Sequence, residues 1–362
     1  EDLKASMFAE DGTPAAERLN QTGLTQPALF SLGYALSELW RSWGIRPAAV
    51  LGHSIGELTA MCVAGGLSLE DAVRMVAARG RLMQALPAGG AMTSIMTDEA
   101  SVAARIAGLE GRVAIAAINA PGQVVISGEA DAVNAVAERF AAEGIKTRSL
   151  VVSHAFHSPL MQPMLAEYEA VINGIRFERP HTTFISSVLG RVAADELLDR
   201  QYWIRNVTDP VRFMDGIHAV DGLGITACLE MGPQPVLVGL GRQTLADRDD
   251  TERLWLPSLK KDPSAWPTLL ASLGQLFVVG CRVDWRQFDA PYARRRVSLP
   301  PYPFGGKRHW ISTVPTPATV PARASSPDAA IDGAAAYEIV WRTQAPPALH
   351  PVEAAPAHWV LV

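Results

Sequence analysis

The 362-residue chain has 48% apolar and 19% charged residues, a net charge of −5 and three cysteines. This composition is typical of a globular protein of two or three domains, and it excludes a fully disordered chain, a collagen-like repeat and a coiled coil. The sequence has no basic patch of the kind that binds nucleic acid. It also has no apolar stretch typical of a membrane span or a signal peptide. The distant cysteines (Cys62, Cys228 and Cys281) match no zinc or disulfide pattern and indicate a reducing, cytoplasmic setting.

The first 86 residues follow the order helix, strand, tight turn, helix, helix. Apolar spacing and the Gly, Pro and Ser signals at element ends predict a helix over 27–43, a strand over 48–51, a turn over 52–56, a helix over 57–64 and a capped helix from Ser68 to about Leu86. This order is typical of an α/β protein.

Residues 92–154 follow a different pattern. Their apolar runs predict strand, helix, two strands, helix and strand over 92–96, 98–108, 113–119, 123–127, 129–143 and 146–152. The β-α-β-β-α-β order is that of a ferredoxin-like unit. We therefore expect a small subdomain (92–154) inserted in a large α/β subdomain (1–91 and 155–285).

The remaining chain returns to the α/β pattern and then becomes linker-like. Helices or strands are predicted over 158–174, 182–187, 225–230 and 265–280. Residues 286–312 are assigned to a linker that follows the large subdomain, and 313–335, which consist mainly of Ala, Ser, Thr and Pro, to a flexible linker. Residues 336–362 are assigned to the start of a further domain.

The segment 52–56 (GHSIG) is a G-x-S-x-G element between a predicted strand and a predicted helix. That context is required of a nucleophile elbow, where glycines allow a tight turn that exposes the hydroxyl of Ser54 at the helix N-terminus. The N–H of Ile55 and the helix dipole could stabilise an oxyanion there. The alternative is a purely structural turn.

A serine nucleophile needs a base, which is usually histidine. His154 and His157 lie in the segment 153–158 at the exit from the small subdomain, where it would face a groove between subdomains. A polar loop with a capping histidine explains the same pattern, and residue chemistry alone does not decide. A lipase-type hydrolase fits poorly, because only 53 mainly helical residues precede Ser54 and no acid occupies a clear triad position.

Many further motifs follow one another over about residues 10–311. They are 25–30 (TQPALF), 52–57 (GHSIGE), 78–80 (ARG), 118–121 (INAP), 154–158 (HAFHS), 202–206 (YWIRN), 210–213 (PVRF), 231–233 (MGP), 299–304 (LPPYPF) and 309–310 (HW). Together they resemble the acyltransferase domains of modular type I polyketide synthases, which are related to malonyl-CoA:acyl carrier protein transacylases. The resemblance implies an α/β fold in which an α/β-hydrolase-like large subdomain carries an inserted ferredoxin-like small subdomain.

The resemblance also implies a catalytic set. Ser54 would carry the acyl group as an ester, and His157 would be the general base. Asn206 matches the position whose main-chain carbonyl orients that imidazole, in place of a triad acid. Ile55 would supply an oxyanion N–H.

Substrate-binding residues follow from the same resemblance. Arg79 matches an arginine that binds the free carboxylate of a malonyl unit, although a salt bridge at a helix end is the alternative reading. Gln26 and His154 would lie near the substrate. Phe156, within HAFH, together with Ile55 implies malonyl over methylmalonyl selectivity, because a phenylalanine fills space that an α-methyl group needs. One methyl group is worth only about 1–3 kcal/mol.

The implied partners are malonyl-CoA and the phosphopantetheine arm of an acyl carrier protein, with no cofactor or metal bound by the domain itself. Segments 337–341 (YEIVW) and 359–362 (WVLV) are similar to the opening of a ketoreductase domain. We therefore expect neighbouring ketosynthase and ketoreductase domains in a homodimeric synthase of antibiotic-type polyketides, with no nucleic-acid or membrane partner.

Two alternatives stay open, namely a G-x-S-x-G hydrolase or thioesterase and a catalytically silent scaffold segment. The family opens with a first strand and a GQG loop whose glutamine supplies a second oxyanion donor, and this sequence begins after that point. Losing one such donor commonly costs about 10²–10³ in rate. We therefore expect this stretch alone to be unstable or poorly active.

Overall fold

Residues 3–248, 253–261, 264–295, 298 and 359–361 are described in a computed structural model. The chain divides into one unit formed by Glu1–Pro291 with Pro356–Val362 and a second unit formed by Tyr292–Ala355. All elements described below belong to the first unit. The predicted flexible linker (313–335) and the segments 299–304, 309–310 and 337–341 lie outside the described residues.

The described strands form two sheets. In chain order they are β1 (Ala49–Leu51), β2 (Gly90–Ile95), β3 (Val113–Ala120), β4 (Gln123–Glu129), β5 (Thr147–Ser149), β6 (Thr183–Ser186), β7 (Arg191–Ala193), β8 (Ala227–Glu230), β9 (Leu254–Pro257) and β10 (Trp359–Leu361). The larger sheet has the order β7-β6-β1-β10-β8-β9, and the smaller has the order β3-β4-β2-β5.

The described α-helices surround these sheets. They are α1 (Leu3–Met7), α2 (Pro14–Glu17), α3 (Thr22–Ser42), α4 (Ile55–Val63), α5 (Leu69–Gln84), α6 (Glu99–Ile106), α7 (Ala130–Ala142), α8 (Leu165–Ile172), α9 (Arg200–Thr208), α10 (Phe213–Gly222), α11 (Leu237–Thr244), α12 (Trp266–Val278) and α13 (Trp285–Asp289). Helix α5 has the predicted cap, because the Ser68 hydroxyl accepts the Asp71 N–H at 3.1 Å. Within the described part of the chain, no helix is both long and apolar enough to cross a membrane.

The larger sheet is mainly parallel, with β7 antiparallel to β6 at one edge. A parallel sheet needs helices on both faces, so its strands are apolar throughout. Val50, Phe184 and Leu229 are accordingly no more than 1% exposed. Trp40 on α3 and Trp203 on α9 are fully buried in the same core. This core holds the strand ends that carry the site.

The smaller sheet is antiparallel and forms the insertion. Its elements run β2-α6-β3-β4-α7-β5, which confirms the predicted β-α-β-β-α-β order. Ile95, Ile126 and Val133 belong to a separate buried cluster that closes one face of this sheet. The fold is therefore the expected one, an α/β-hydrolase-like subdomain with a ferredoxin-like insertion.

Two local details differ from the sequence pattern. The helix predicted over 158–174 begins as the 3₁₀ segment Pro159–Met164 and becomes α-helical only in α8; Pro163, which has no N–H to donate, lies at this change.

Strand β10 lies within the larger sheet, although 336–362 was assigned to a further domain. It pairs in parallel with both β1 and β8, and so satisfies two strand edges at once. Residues 336–358 and 362 lie outside the described residues.

Candidate active site

Ser54 occupies a sharp turn between β1 and α4. Its backbone has φ 51° and ψ −112°, a region that non-glycine residues rarely adopt. A Cβ added at Gly52 would overlap the backbone of Gly56 and Glu57, so only glycine fits there. Ile55 is the first helical residue, where no carbonyl of the helix reaches its N–H. The turn thus places a hydroxyl beside a free N–H at the positive end of a helix dipole.

His157 reaches this hydroxyl from the segment after the small subdomain. Its Nε2 lies 2.7 Å from Ser54 Oγ, and its Nδ1 lies 2.9 Å from the main-chain oxygen of Asp209. A carbonyl can only accept, so Nδ1 carries the proton and Nε2 is free to take one from Ser54. His157 itself has φ 54°. This geometry would let His157 act as a general base toward the hydroxyl of Ser54.

The carbonyl that orients His157 belongs to Asp209 and not to Asn206, which corrects the sequence prediction. Asn206 lies within α9, where main-chain carbonyls face along the helix axis. Asp209 is the C-cap of α9 and has an extended backbone, φ −76° and ψ 154°, which turns its carbonyl away from the helix. The amide of Asn206 instead donates to Glu57 at 2.5 Å.

Arg79, on α5, is buried beside the nucleophile. Its Nη2 donates to Ser54 Oγ at 3.1 Å and its Nη1 donates to Oε1 of Gln26 at 2.7 Å. The whole residue is only 2% exposed. Among the described residues no carboxylate lies within ion-pair distance of it, so the surface salt bridge considered above is absent there. Burial lowers the pKa of Arg79, yet a guanidinium stays charged in proteins.

Strand β3 of the small subdomain is hydrogen-bonded to two segments of this site, the one that follows Asp209 and the turn at Ser54. The main chain of Val211 exchanges hydrogen bonds with Ile118 and Ala116 at 2.8 and 2.9 Å, which holds the segment that follows Asp209. On the same strand, Oδ1 of Asn119 accepts the Nε2–H of His53 at 2.9 Å. The imidazole of His53 is therefore hydrogen-bonded to β3 and not to Ser54.

The other two predicted site residues contact the walls of the site. Nε2 of His154 lies 3.1 Å from the carbonyl oxygen of Leu86, just beyond α5, and bonds to it. Phe156 is partly buried and packs against both the main core and a second buried cluster that includes Leu51, Ala117 and Phe213. In the described structure neither residue is hydrogen-bonded to Ser54, and their roles toward substrate stay predictions.

A cavity of about 540 Å³ opens at Ser54 on the side of Ile55. Most of the residues that line it are apolar, and they include Leu29 on α3, residues of the loop 231–236, and Leu237 at the start of α11. Arg79 and His157 do not line it. In the part of the chain that the structure describes, no cluster of histidine, cysteine or carboxylate side chains could hold a metal ion.

Burial and a neighbouring charge set the basicity of the site. Burial of the imidazole, and secondarily the positive charge of Arg79, lower the pKa of His157 to about 3. His157 is therefore neutral at physiological pH, as a general base must be.

The pH dependence of acylation follows from this shift. Because His157 stays neutral down to low pH, kcat/KM for acylation of Ser54 is expected to show no inflection near 6.5, the usual pKa of histidine. Stopped-flow acylation between about pH 5 and pH 8 measures this. A fall in rate centred near pH 6.5 would contradict the buried, Arg79-coupled state of the base.

The chain belongs to the acyl transferase domain family, which matches residues 11–283. Curated relatives are polyketide synthases, as the motifs indicated. Polyketide synthase GfsA of Streptomyces halstedii is 44% identical over 321 residues, which are 87% of this chain and 4% of that protein. Mycoketide-CoA synthase of Mycobacterium tuberculosis is 45% identical over 296 residues, 81% of this chain and 7% of that protein. The chain thus spans a small fraction of the length of these relatives.

Solved structures agree with this family. The acyltransferase domain from the second module of the salinomycin polyketide synthase matches with TM-score 0.77 and 45% identity, over 83% of this chain and 69% of that one. Malonyl-CoA:acyl carrier protein transacylase (FabD) from Xanthomonas oryzae matches with TM-score 0.66 and 34% identity, over 76% of this chain and 85% of that one. Both the resemblance and the fold inferred from the sequence are confirmed.

Proposed function

We propose that this domain transfers malonyl groups from malonyl-CoA to the phosphopantetheine thiol of an acyl carrier protein through an ester on Ser54. The observation that carries the proposal is the guanidinium of Arg79, which is buried with no carboxylate within ion-pair distance among the described residues and lies 3.1 Å from Ser54 Oγ. An unpaired buried cation is costly unless it binds an anion. An acyl group with a terminal carboxylate supplies one.

The first half-reaction forms the acyl-enzyme. Ser54 Oγ attacks the thioester carbonyl carbon while Nε2 of His157 takes the hydroxyl proton, and the Ile55 N–H stabilises the negative oxygen. The carbon–sulfur bond then breaks, and the coenzyme A sulfur leaves with the proton from His157. The Asp209 carbonyl keeps the imidazole in the productive tautomer throughout.

The second half-reaction is the reverse with a different thiol. His157 takes the proton of the phosphopantetheine thiol, whose sulfur attacks the ester carbonyl. The ester bond breaks, and Ser54 recovers its proton from His157. Substrate carboxylate, held by Arg79, would stay in place through both halves. This ping-pong scheme uses only side chains and main-chain groups of the domain.

Selectivity for malonyl over methylmalonyl is part of the proposal. Phe156 lies one residue before the base, on the same segment, and packs against both neighbouring clusters. Because these contacts hold the ring of Phe156, the ring has little freedom to move aside for a branched acyl group. A preference of about 1–3 kcal/mol is expected for a single methyl group.

Partners belong to the same proposal. Because the curated relatives are long polyketide synthases, we propose that ketosynthase and ketoreductase domains neighbour this domain in a dimeric synthase. The acceptor would be the carrier protein of that synthase.

Intact-mass analysis after incubation with malonyl-CoA tests the function. We expect one malonyl adduct, mapped to Ser54, that disappears when a carrier protein with its phosphopantetheine arm is added. Methylmalonyl-CoA should label more slowly. Free malonate in place of malonyl-carrier protein would identify a thioesterase, and a chain that takes up no acyl group would identify a scaffold segment.

A further inference from the structure

Glu57 has a buried carboxylate to which the mechanism above gives no role. It lies three residues after Ser54, in the first turn of α4, and is 0% exposed. Its Oε1 accepts the hydroxyl of Tyr202 at 2.6 Å and the N–H of Ser187 at 2.8 Å, and its Oε2 accepts the amide of Asn206 at 2.5 Å. One side chain therefore joins the nucleophile helix to α9 and to the loop after β6.

The hydrogen bonds around Glu57 require it to be an anion. Ser186 Oγ accepts the N–H groups of Val188 and Leu189 at 3.1 and 2.8 Å, so its own proton points to the oxygen of Tyr202. The proton of Tyr202 must then go to Glu57. With three donors directed at it, the carboxyl group has no acceptor for a proton of its own. Burial raises the pKa of Glu57, and these three hydrogen bonds oppose that rise.

The partners of Glu57 converge on the segment that orients the base. Asn206 lies in the last turn of α9, which ends where Asp209 begins. On the other side, the carbonyl of Ser187 accepts the N–H of Arg212 at 2.6 Å. The segment 209–212 is thus held at both ends by elements that bond to the same carboxylate. Within it, the Asp209 carbonyl accepts the Nδ1–H of the base.

We propose that Glu57 is a positioning residue that sets the Asp209 carbonyl against His157. By this arrangement the helix that presents the nucleophile also determines the tautomer and direction of the base. The inference rests on the proposed acyl transfer for its kinetic consequence, but its structural consequence concerns one hydrogen bond of His157. A carboxylate that served only to stabilise the core would affect folding without affecting that bond.

Two variants separate these roles. In Glu57→Gln, Oε1 keeps both of its donors, but an amide nitrogen replaces Oε2 opposite the amide of Asn206. In the double variant E57Q/N206D, the new amide donates to the new carboxylate, so all three hydrogen bonds and the net charge are retained. Asp221→Asn is the matched control. Asp221 lies on α10, outside this network, and its largely buried carboxylate pairs with Arg248 and Arg253.

The kinetic test compares single-turnover acylation by malonyl-CoA in these variants of the whole chain. E57Q is expected to slow acylation by about 10–100-fold, since a misplaced base costs that much, with half-saturation by malonyl-CoA changed less than about twofold. The double variant is expected to recover most of the rate, and D221N to lower only the melting temperature. An E57Q rate within about twofold of wild type, or a folded double variant as slow as E57Q, would overturn the proposal.

The spectroscopic test needs no substrate. In protein labelled with ¹⁵N-histidine, the ring of His157 is expected to show the Nδ1–H form in the wild type, a larger share of the Nε2–H form in E57Q, and the Nδ1–H form again in the double variant. Unchanged ring signals in E57Q would refute the positioning role. If wild-type protein forms no acyl-serine, the proposed function fails, while these signals still decide the role of Glu57.

Discussion

Replacing Ser54 by alanine is expected to abolish the acyl adduct and to lower malonyl transfer by roughly 10⁴–10⁶-fold. The reason is that Ser54 Oγ is the attacking atom of the proposed mechanism and the shared hydrogen-bond partner of His157 and Arg79, at 2.7 Å from His157 Nε2 and 3.1 Å from Arg79 Nη2. No neighbouring hydroxyl replaces it at those distances in the described structure. Intact-mass labelling and steady-state transfer assays measure the two effects.

The matched control for this change is Ser68→Ala. Ser68 caps α5 through its hydroxyl and lies outside the site, so its loss is expected to cost about 1 kcal/mol of stability and to leave the adduct intact. An adduct that persists in Ser54→Ala would show that another residue carries the acyl group.

The second large effect is expected from Arg79→Ala. Malonyl acylation should fall by about 10²–10⁴-fold, the equivalent of two charge-assisted hydrogen bonds to the substrate carboxylate, whereas acetyl acylation, which has no such carboxylate, should be spared. Rates with malonyl-CoA and acetyl-CoA measured on the same preparation give the ratio. Removing the guanidinium also removes a charge that lowers the pKa of His157, so any inflection in the acetyl profile should move upward toward 6.5.

The control for this change lies on the same helix. Arg74 is on the exposed face of α5 and pairs with Asp71 one turn away, so Arg74→Ala is expected to leave both acyl rates unchanged. If malonyl and acetyl acylation fell together in Arg79→Ala, the arginine would be supporting Ser54 and Gln26 rather than selecting a substrate. That outcome would contradict the proposed substrate class.

Local sequence patterns were sufficient for most of the framework. The turn at Ser54, the cap at Ser68 and the elements of the small subdomain depend on neighbours within a few residues, and each was predicted. Strands β7 and β9 were not predicted, because they are only a few residues long and their apolar runs are too short to show a period.

The parts of the site that sequence patterns missed are those made by the main chain or by distant contacts. The carbonyl of Asp209 carries no side-chain signal, and its direction depends on where α9 ends. No role was predicted for Glu57, the last residue of the GHSIGE segment. An acid in the first turn of a helix ordinarily faces solvent and interacts favourably with the helix dipole. The burial of Glu57 results from Tyr202, Ser187 and Asn206, which lie at least 130 positions further along the chain.

Ser54 and His157 share a cost that the folding of the chain must bear. They are the two non-glycine residues with positive φ among those described, 51° and 54°, and such backbones commonly cost about 1–3 kcal/mol each. Glycine would relieve both and remove the hydroxyl and the imidazole. Thermodynamic stability alone would thus favour an inert chain at these two positions, and the surrounding sheet and helices must supply the compensating free energy.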